Sequence, residues 1–243
     1  NGRSRGLGDV YKRQSMGWIQ SALSVFADKR ELLDPACFDD PLALQVDWTP
    51  LVRGGTNVCT HRAQLHKGLM ASTLTFVVTP LVTFGCGAFV LFGVVVSVGH
   101  LLFTPSVAQA PLMALAPLVF SGMGGLFFWH LRRQQVCFDQ SKGMFVQRDR
   151  ATPLREVHAL QLLREFVRGH KNSYDSFELN LVCRDGRRLN VTDHGSLHAI
   201  RDDARTLAAY LEVPIWDAID LRLPEHLQTP NAKQQLLGMN LFR

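Results

Sequence analysis

Residues 68–131 read GLMASTLTFVVTPLVTFGCGAFVLFGVVVSVGHLLFTPSVAQAPLMALAPLVFSGMGGLFFWHL, 64 consecutive positions without an Asp, Glu, Lys or Arg. No ordinary soluble core of a chain of 243 residues accommodates such a run, so a purely soluble globule is excluded. Within it, Ala71–Val98 is 28 residues of mostly Val, Leu, Phe, Thr, Gly and Ala. At helical rise that is roughly 42 Å, more than the ~30 Å hydrocarbon layer requires. Tilt or a first turn in the headgroup zone absorbs the excess, and Pro80 is expected to kink the span. Leu112–Leu131 supplies a second span of 20 residues. His100–Pro111, with its Thr-Pro, Ser and Gln, reads as the turn between them. The sequence therefore predicts a two-helix transmembrane hairpin over 68–131. A signal peptide is the poorer reading, because the run starts deep in the chain and a second span follows.

Basic flanks set the orientation. Arg53, Arg62 and Lys67 precede the hairpin, Arg132, Arg133, Lys142, Arg148 and Arg150 follow it, and the intervening loop has no Lys or Arg. The positive-inside rule then places both termini in the cytoplasm and the short loop outside. Gly85, Gly87, Gly93, Gly122, Gly124 and Gly125 offer close helix approach. Only His100 and His130, at the periphery, are ionisable within the run, which argues for an anchor and against a pump or carrier acting alone.

All 47 formal charges (26 basic, 21 acidic) lie on the other 179 residues, a normal soluble density. The net charge of +5 is mostly local, since Arg3, Arg5, Lys12 and Arg13 against Asp9 put +3 into the first 14 residues. That opening, NGRSRGLGDVYKRQ, resembles translated sequencing-adapter read-through, so 1–14 is expected to be a non-native leader, with Met16 a candidate start. The remaining +2 makes no case for nucleic acid. Cys37, Cys59, Cys86, Cys137 and Cys183 show no CxxC and no paired spacing, which suits a reducing compartment and neither a disulfide framework nor a zinc site. Cys86 is expected to be an inert buried thiol.

Residues 15–67 form an N-terminal cytoplasmic segment, in which Trp18, Ile19, Leu23, Val25 and Phe26 suit a short amphipathic helix. After Arg133 the pattern becomes one of short alternating runs. Gln135–Asp139 and Met144–Arg148 read as a hairpin, Val157–Phe166 as a further strand, and Phe177–Cys183 with Leu189–Val191 as a hairpin turning at Asp185-Gly186. Ser196 is placed to cap a helix to about Leu211, with Leu197, Ile200, Ala204, Leu207, Ala208 and Leu211 on one stripe. Val213-Pro214 ends it, and residues 218–243 are a polar tail. Residues 132–217 are thus an α+β module with four or five legible strands and a closing helix.

The phrases FDQSKGMFVQRDR, PLREVHALQLL, FELNLVCRDGRRLNVTDHG and RDDARTLAAYLEVPIWD, with the upstream DPLALQVDWTPLVRGGTNVCTHR, resemble uncharacterised bacterial two-span inner-membrane proteins carrying a pleckstrin-homology-like cytoplasmic domain. The resemblance, over roughly residues 40–217, implies a small β sandwich or half-barrel capped by a helix, and a binding role. In lipid-binding members of that fold, basic residues of the first hairpin hold phosphorylated headgroups. Lys142, Arg148 and Arg150 match that arrangement, and alternation would put Arg148 and Arg150 on one strand face. With Arg132 and Arg133 they also suit plain attraction to an anionic leaflet.

Other constellations carry less. His194 and His198 have the i,i+4 spacing of a metal pair, but Gly195 separates them from a shared helix face and no third ligand is evident, so no metal is expected. His61 and His66 read as interfacial anchors, and Arg184-Asp185-Gly186-Arg187-Arg188 as an exposed, solubilising turn. Gly54-Gly55 lacks the strand, lysine and helix of a phosphate loop. No nucleophile–base motif is present, so the expectation is a membrane-anchored, non-enzymatic interaction or scaffolding module with no cofactor. Its partners would be the bilayer and an unidentified protein, offered a sheet edge for instance, and the alternative is anionic-lipid sensing.

Overall fold

A computed structural model describes residues 30–68, 71–103, 110–148, 150–167 and 173–224, with the backbone alone for 110–114. The expected leader, the amphipathic stretch Trp18–Phe26, most of the inter-helix turn and the tail beyond 224 lie outside these residues.

The chain is α+β, with antiparallel sheets and three α-helices among the described residues. The apolar run divides differently from its hydropathy. His61–Lys67 (β1) and Ser72–Val78 (β2) are paired strands, and the first long helix, Pro80–Phe103 (α1), begins only at Pro80. The expected span from Ala71 is thus corrected at its start. Thr73, Thr75, Val77 and Val78 favour extended backbone, and Leu74, Phe76 and Val78 alternate inward to near-complete burial. Pro80 is the first helical residue, where its missing N–H costs nothing, and so does not kink the helix. Ala110–Arg133 (α2) packs antiparallel to α1, with Gly93 against Pro117 and Ser121 and with Gly124 against Phe89 and Val90. A Cβ at Gly93 would stand 2.2 Å from Ser121 Oγ, so the close approach requires glycine there.

The chain returns from α2 into Val136–Asp139 (β3), which pairs with β2 through Phe76↔Val136. The two helices are therefore an excursion out of, and back into, adjacent strands of one sheet. Met144–Gln147 (β4) and Arg150–Pro153 (β5) complete that sheet in the order β1-β2-β3-β4-β5. Residues 61–78 consequently belong to the same folded unit as residues 136–153, and the expected boundaries at 67/68 and 131/132 cut through one sheet.

The second sheet, β8-β7-β6-β9, contains Val157–Val167 (β6), Tyr174–Cys183 (β7), Arg188–His194 (β8) and the three-residue Ile215–Asp217 (β9), parallel to β6. The Asp185-Gly186 turn forms as expected, with Gly186 at φ +81°. Leu197–Leu211 (α3) presents the predicted stripe: Ile200, Ala204, Leu207 and Ala208 are buried. Ser196 occupies the N-cap position without a side-chain capping bond, and its N–H donates instead to His194 Nδ1.

One core joins both sheets and α3, through Leu74, Phe76, Phe138 and Phe145 on one side and Leu160, Leu162, Leu179 and Leu181 on the other. Tyr210 closes it, its hydroxyl lying 2.7 Å from Ser72 O and 2.9 Å from Phe138 O. The outer face of the second sheet is covered by residues 33–58. Leu33, Ala43, Val46 and Trp48 pack on Ala159, Leu163, Val182 and Trp216. Phe38 stacks on Trp48 at 5.0 Å between ring centroids.

Candidate functional site

Strand register assigns each candidate arginine to one end of the domain. Val136, just beyond α2, pairs with Gln147, and Gln147 pairs with Arg150. At ~4.8 Å per strand spacing, Arg150 lies about 10 Å across the sheet from Val136, at the end from which both helices leave. Arg132 and Arg133 lie in the last turn of α2, Arg133 stacked over Trp129 at 4.1 Å. Arg132, Arg133, Arg148 and Arg150 are all exposed, and no carboxylate among the described residues pairs with Arg148 or Arg150.

Lys142 is not part of this group. It sits in the β3–β4 turn, at the opposite end of β4 some 13 Å away, and is 3.6 Å from Asp139. Nor do Arg148 and Arg150 alternate along one strand. Arg148 takes φ 52° in the tight turn between β4 and β5, a left-handed conformation that ends β4 at Gln147.

The histidines separate as well. His194 is fully buried on β8, whereas His198 is on the exposed side of α3. Among the described residues no group of three His, Cys, Asp or Glu side chains could hold a metal ion. Burial, then the charge of Arg62 and the proximity of His61, push His194 down to about 4. The ring is therefore neutral, accepts at Nδ1 from Ser196 N–H, and leaves Nε2 without a partner. His66 faces solvent at the end of β1 remote from the helices, because His61–Lys67 is a strand running away from them.

His61 is a structural clamp rather than an interfacial anchor. Its Nε2–H donates to Leu131 O (3.0 Å) near the end of α2, and Nδ1 accepts from Thr60 Oγ1 (3.0 Å). Burial holds it below the ordinary histidine range. Beside it, Arg62 Nε donates to both oxygens of the buried Asp203 on α3 (3.0 and 3.1 Å). These contacts join the helix pair, β1 and α3 at a single corner.

The outer face of the second sheet holds a buried polar network that the sequence reading missed. Residues 47–57 lie across it as a strap. Glu178, 2% exposed, accepts from the N–H groups of Leu51 and Val52 (2.9 Å each) and from the amide of Asn180. Its burial pushes the carboxyl upward, against these donors and Arg188. Glu165 accepts from Gly54 N–H at 3.0 Å. Arg188 donates to Thr49 O (2.8 Å) and Gln161 Oε1 (3.0 Å) and lies 3.5 Å from Asp47. Its side chain is buried, so the expected exposed turn ends at Arg187, and at Arg188 the chain has already entered β8 beneath the strap. Gly55 is the tightest point, since a Cβ would meet Ser176 Oγ at 2.2 Å and Asp193 Oδ2 at 2.7 Å. Alternation along β7 (Phe177, Glu178, Leu179, Asn180, Leu181) was the available signal, because polar residues there can face either solvent or a covering segment.

Between the helices, Thr83, Cys86, Gly87, Val90, Leu91, Val94, Gly125 and Phe128 line an open apolar groove of about 420 Å³. Cys86 is partly exposed there rather than fully buried. α1 is long and apolar enough to cross a membrane, and only 11% of its most apolar stretch is buried. No protein-family model and no curated protein matches the chain.

Proposed function

We propose that this protein is a two-span integral protein of a bacterial cytoplasmic membrane, both termini cytoplasmic, whose β-rich domain is a non-enzymatic interaction module held at the leaflet. The observation that carries the reading is α1. Its Leu81, Phe84, Phe92, Leu101, Leu102 and Phe103 point away from the protein, each more than half exposed. Such a surface suits hydrocarbon better than water. α2 supports the second span with Leu115, Val119, Phe120, Met123, Leu126 and Phe127 turned outward. Two mainly antiparallel sheets closed by α3 support the pleckstrin-homology-like resemblance. The buried Glu178, Arg188, Asp203 and His61 hold chain segments together, which gives each a structural task.

A specific observation also favours the lipid reading. Arg132, Arg133, Arg148 and Arg150 share the end of the domain from which the helices leave, where an anionic leaflet would lie, at about 1 kcal/mol of attraction per basic residue. Lys142 is outside that surface and is not carried forward. The experiment is alkaline carbonate extraction of membranes containing the full chain. Retention in the pellet is the expected result, and release to the supernatant would overturn the anchoring. Full-chain R148E/R150E in vesicles with and without phosphatidylglycerol then tests the lipid contact through loss of a salt-sensitive protection of the domain from protease.

A further inference from the structure

We propose that the end of the β6–β7 ladder and the strap laid against it form a second membrane contact, which seats the domain on an anionic bilayer surface. The inference rests on the reading of α1 as membrane-spanning. Among the described residues outside the helices, large apolar side chains with substantial exposure are few; Leu51, Val52 and Val58 lie on the strap, and Phe166, 57% exposed, lies near the end of the ladder on its other, core-side face. Phe166 pairs with Asp175 in the penultimate rung of the ladder, beyond the level of the buried His194.

The strap fixes this end to the root of the helices. Tyr174 Oη donates to Gly55 O (2.8 Å) and Ser176 Oγ to Thr56 O (3.3 Å). Two residues past Asn57, Cys59 O accepts from Thr79 Oγ1 (3.0 Å), and Thr60 O accepts from Thr79 N–H (2.9 Å). Thr79 immediately precedes α1. Val58 is therefore bracketed between the ladder and the first turn of α1, with about 7 Å of chain to either side. A surface so close to the start of a spanning helix faces the leaflet.

Its chemistry suits that position. Two of the carboxylates nearby are turned to internal partners: Glu165 to Gly54 N–H, and Asp175 to Arg164 at 2.8 and 2.6 Å. Arg53, on the strap, is exposed and joins Arg132, Arg133, Arg148 and Arg150 as outward cationic groups. Exposed aromatic and aliphatic side chains together with outward arginines suit the headgroup region, where the apolar groups enter the acyl boundary and guanidinium groups meet phosphate.

The test is lipid quenching in the full chain. F166W and, independently, V58W are reconstituted into vesicles of phosphatidylcholine with added phosphatidylglycerol, using lipids brominated near the headgroup end of their chains. Wild type is measured alongside to subtract the four native tryptophans. Each new tryptophan is expected to be blue-shifted and quenched in anionic vesicles, and the signal is expected to be lost in an R148E/R150E background. A chain retained after carbonate washing, in which neither new tryptophan is quenched beyond wild type, overturns the second contact and leaves the anchor standing. A chain that washes out overturns both.

Discussion

Acid should remove the stability that one buried ring, His194, contributes to this domain. Folded, it titrates near 4, whereas an exposed histidine titrates near 6.5, so the unfolded chain binds the proton first as pH falls. Stability from this group is complete above pH 6.5 and is lost progressively down to pH 4. At 1.36 kcal/mol per unit the whole window is worth about 3 kcal/mol, of which about 2 kcal/mol has gone by pH 5. His61, lowered by burial, acts with the same sign. Glu178, Asp193 and Asp203, raised chiefly by burial, act with the opposite sign, because the folded state takes up their protons earlier. The comparison that isolates His194 is therefore wild type against H194N, whose side-chain oxygen can still accept from Ser196 N–H. Denaturant unfolding of the full chain in detergent, followed through Trp48 and Trp216, would be run from pH 7 to pH 4.5. The variant is expected to lose about 2 kcal/mol less than wild type between pH 7 and pH 5. Equal losses in the two proteins would refute the assignment of a neutral buried imidazole.

Three further outcomes follow from the packing. G55A drives a methyl group into Ser176 Oγ and Asp193 Oδ2, so the strap should lift at a cost of about 1–3 kcal/mol, read as a lower melting temperature and faster proteolysis at residues 47–57. E178Q offers one acceptor oxygen where Leu51 N–H and Val52 N–H now use two, and should cost about 2–3 kcal/mol in the same unfolding assay. G93L places bulk against Pro117 and Ser121, and breaks the approach that lets Ser121 Oγ donate to Val90 O at 2.8 Å. Its helix pair should weaken by about 1–2 kcal/mol, seen as lower thermal stability in detergent with the strand signal in circular dichroism unchanged.

Periodic patterns were readable wherever one face of an element met the core and the other met water. The stripe of α3, the β3–β4 hairpin and the Asp185-Gly186 turn all follow from that. Hydropathy failed at β2, because Leu74, Phe76 and Val78 alternate with Thr and Val and the strand merges into the uncharged run, so a sheet strand was absorbed into a helix. With β2 lost, β1 had no visible partner, and the N-terminal segment was read as separate although it supplies an edge strand and the cover of the second sheet. β9 has only three residues and no pattern of its own. At the candidate site, the sequence pattern put Arg148 and Arg150 on one strand face, and the turn that takes Arg148 out of β4 was not legible. Their proximity to Arg132 and Arg133, and the exclusion of Lys142, depend on the register that puts Gln147 opposite Val136. The strap network was invisible because its pairs, such as Glu178 with Leu51 and Tyr174 with Gly55, span more than a hundred residues.

The most direct test of a two-span anchor with one folded domain on the inner side is labelling in sealed, right-side-out vesicles with a membrane-impermeant maleimide. It compares S106C, between the two helices, with the exposed native Cys37. The account predicts that S106C reacts from outside while Cys37 reacts only after permeabilisation. Equal reaction of both from the same side would contradict it.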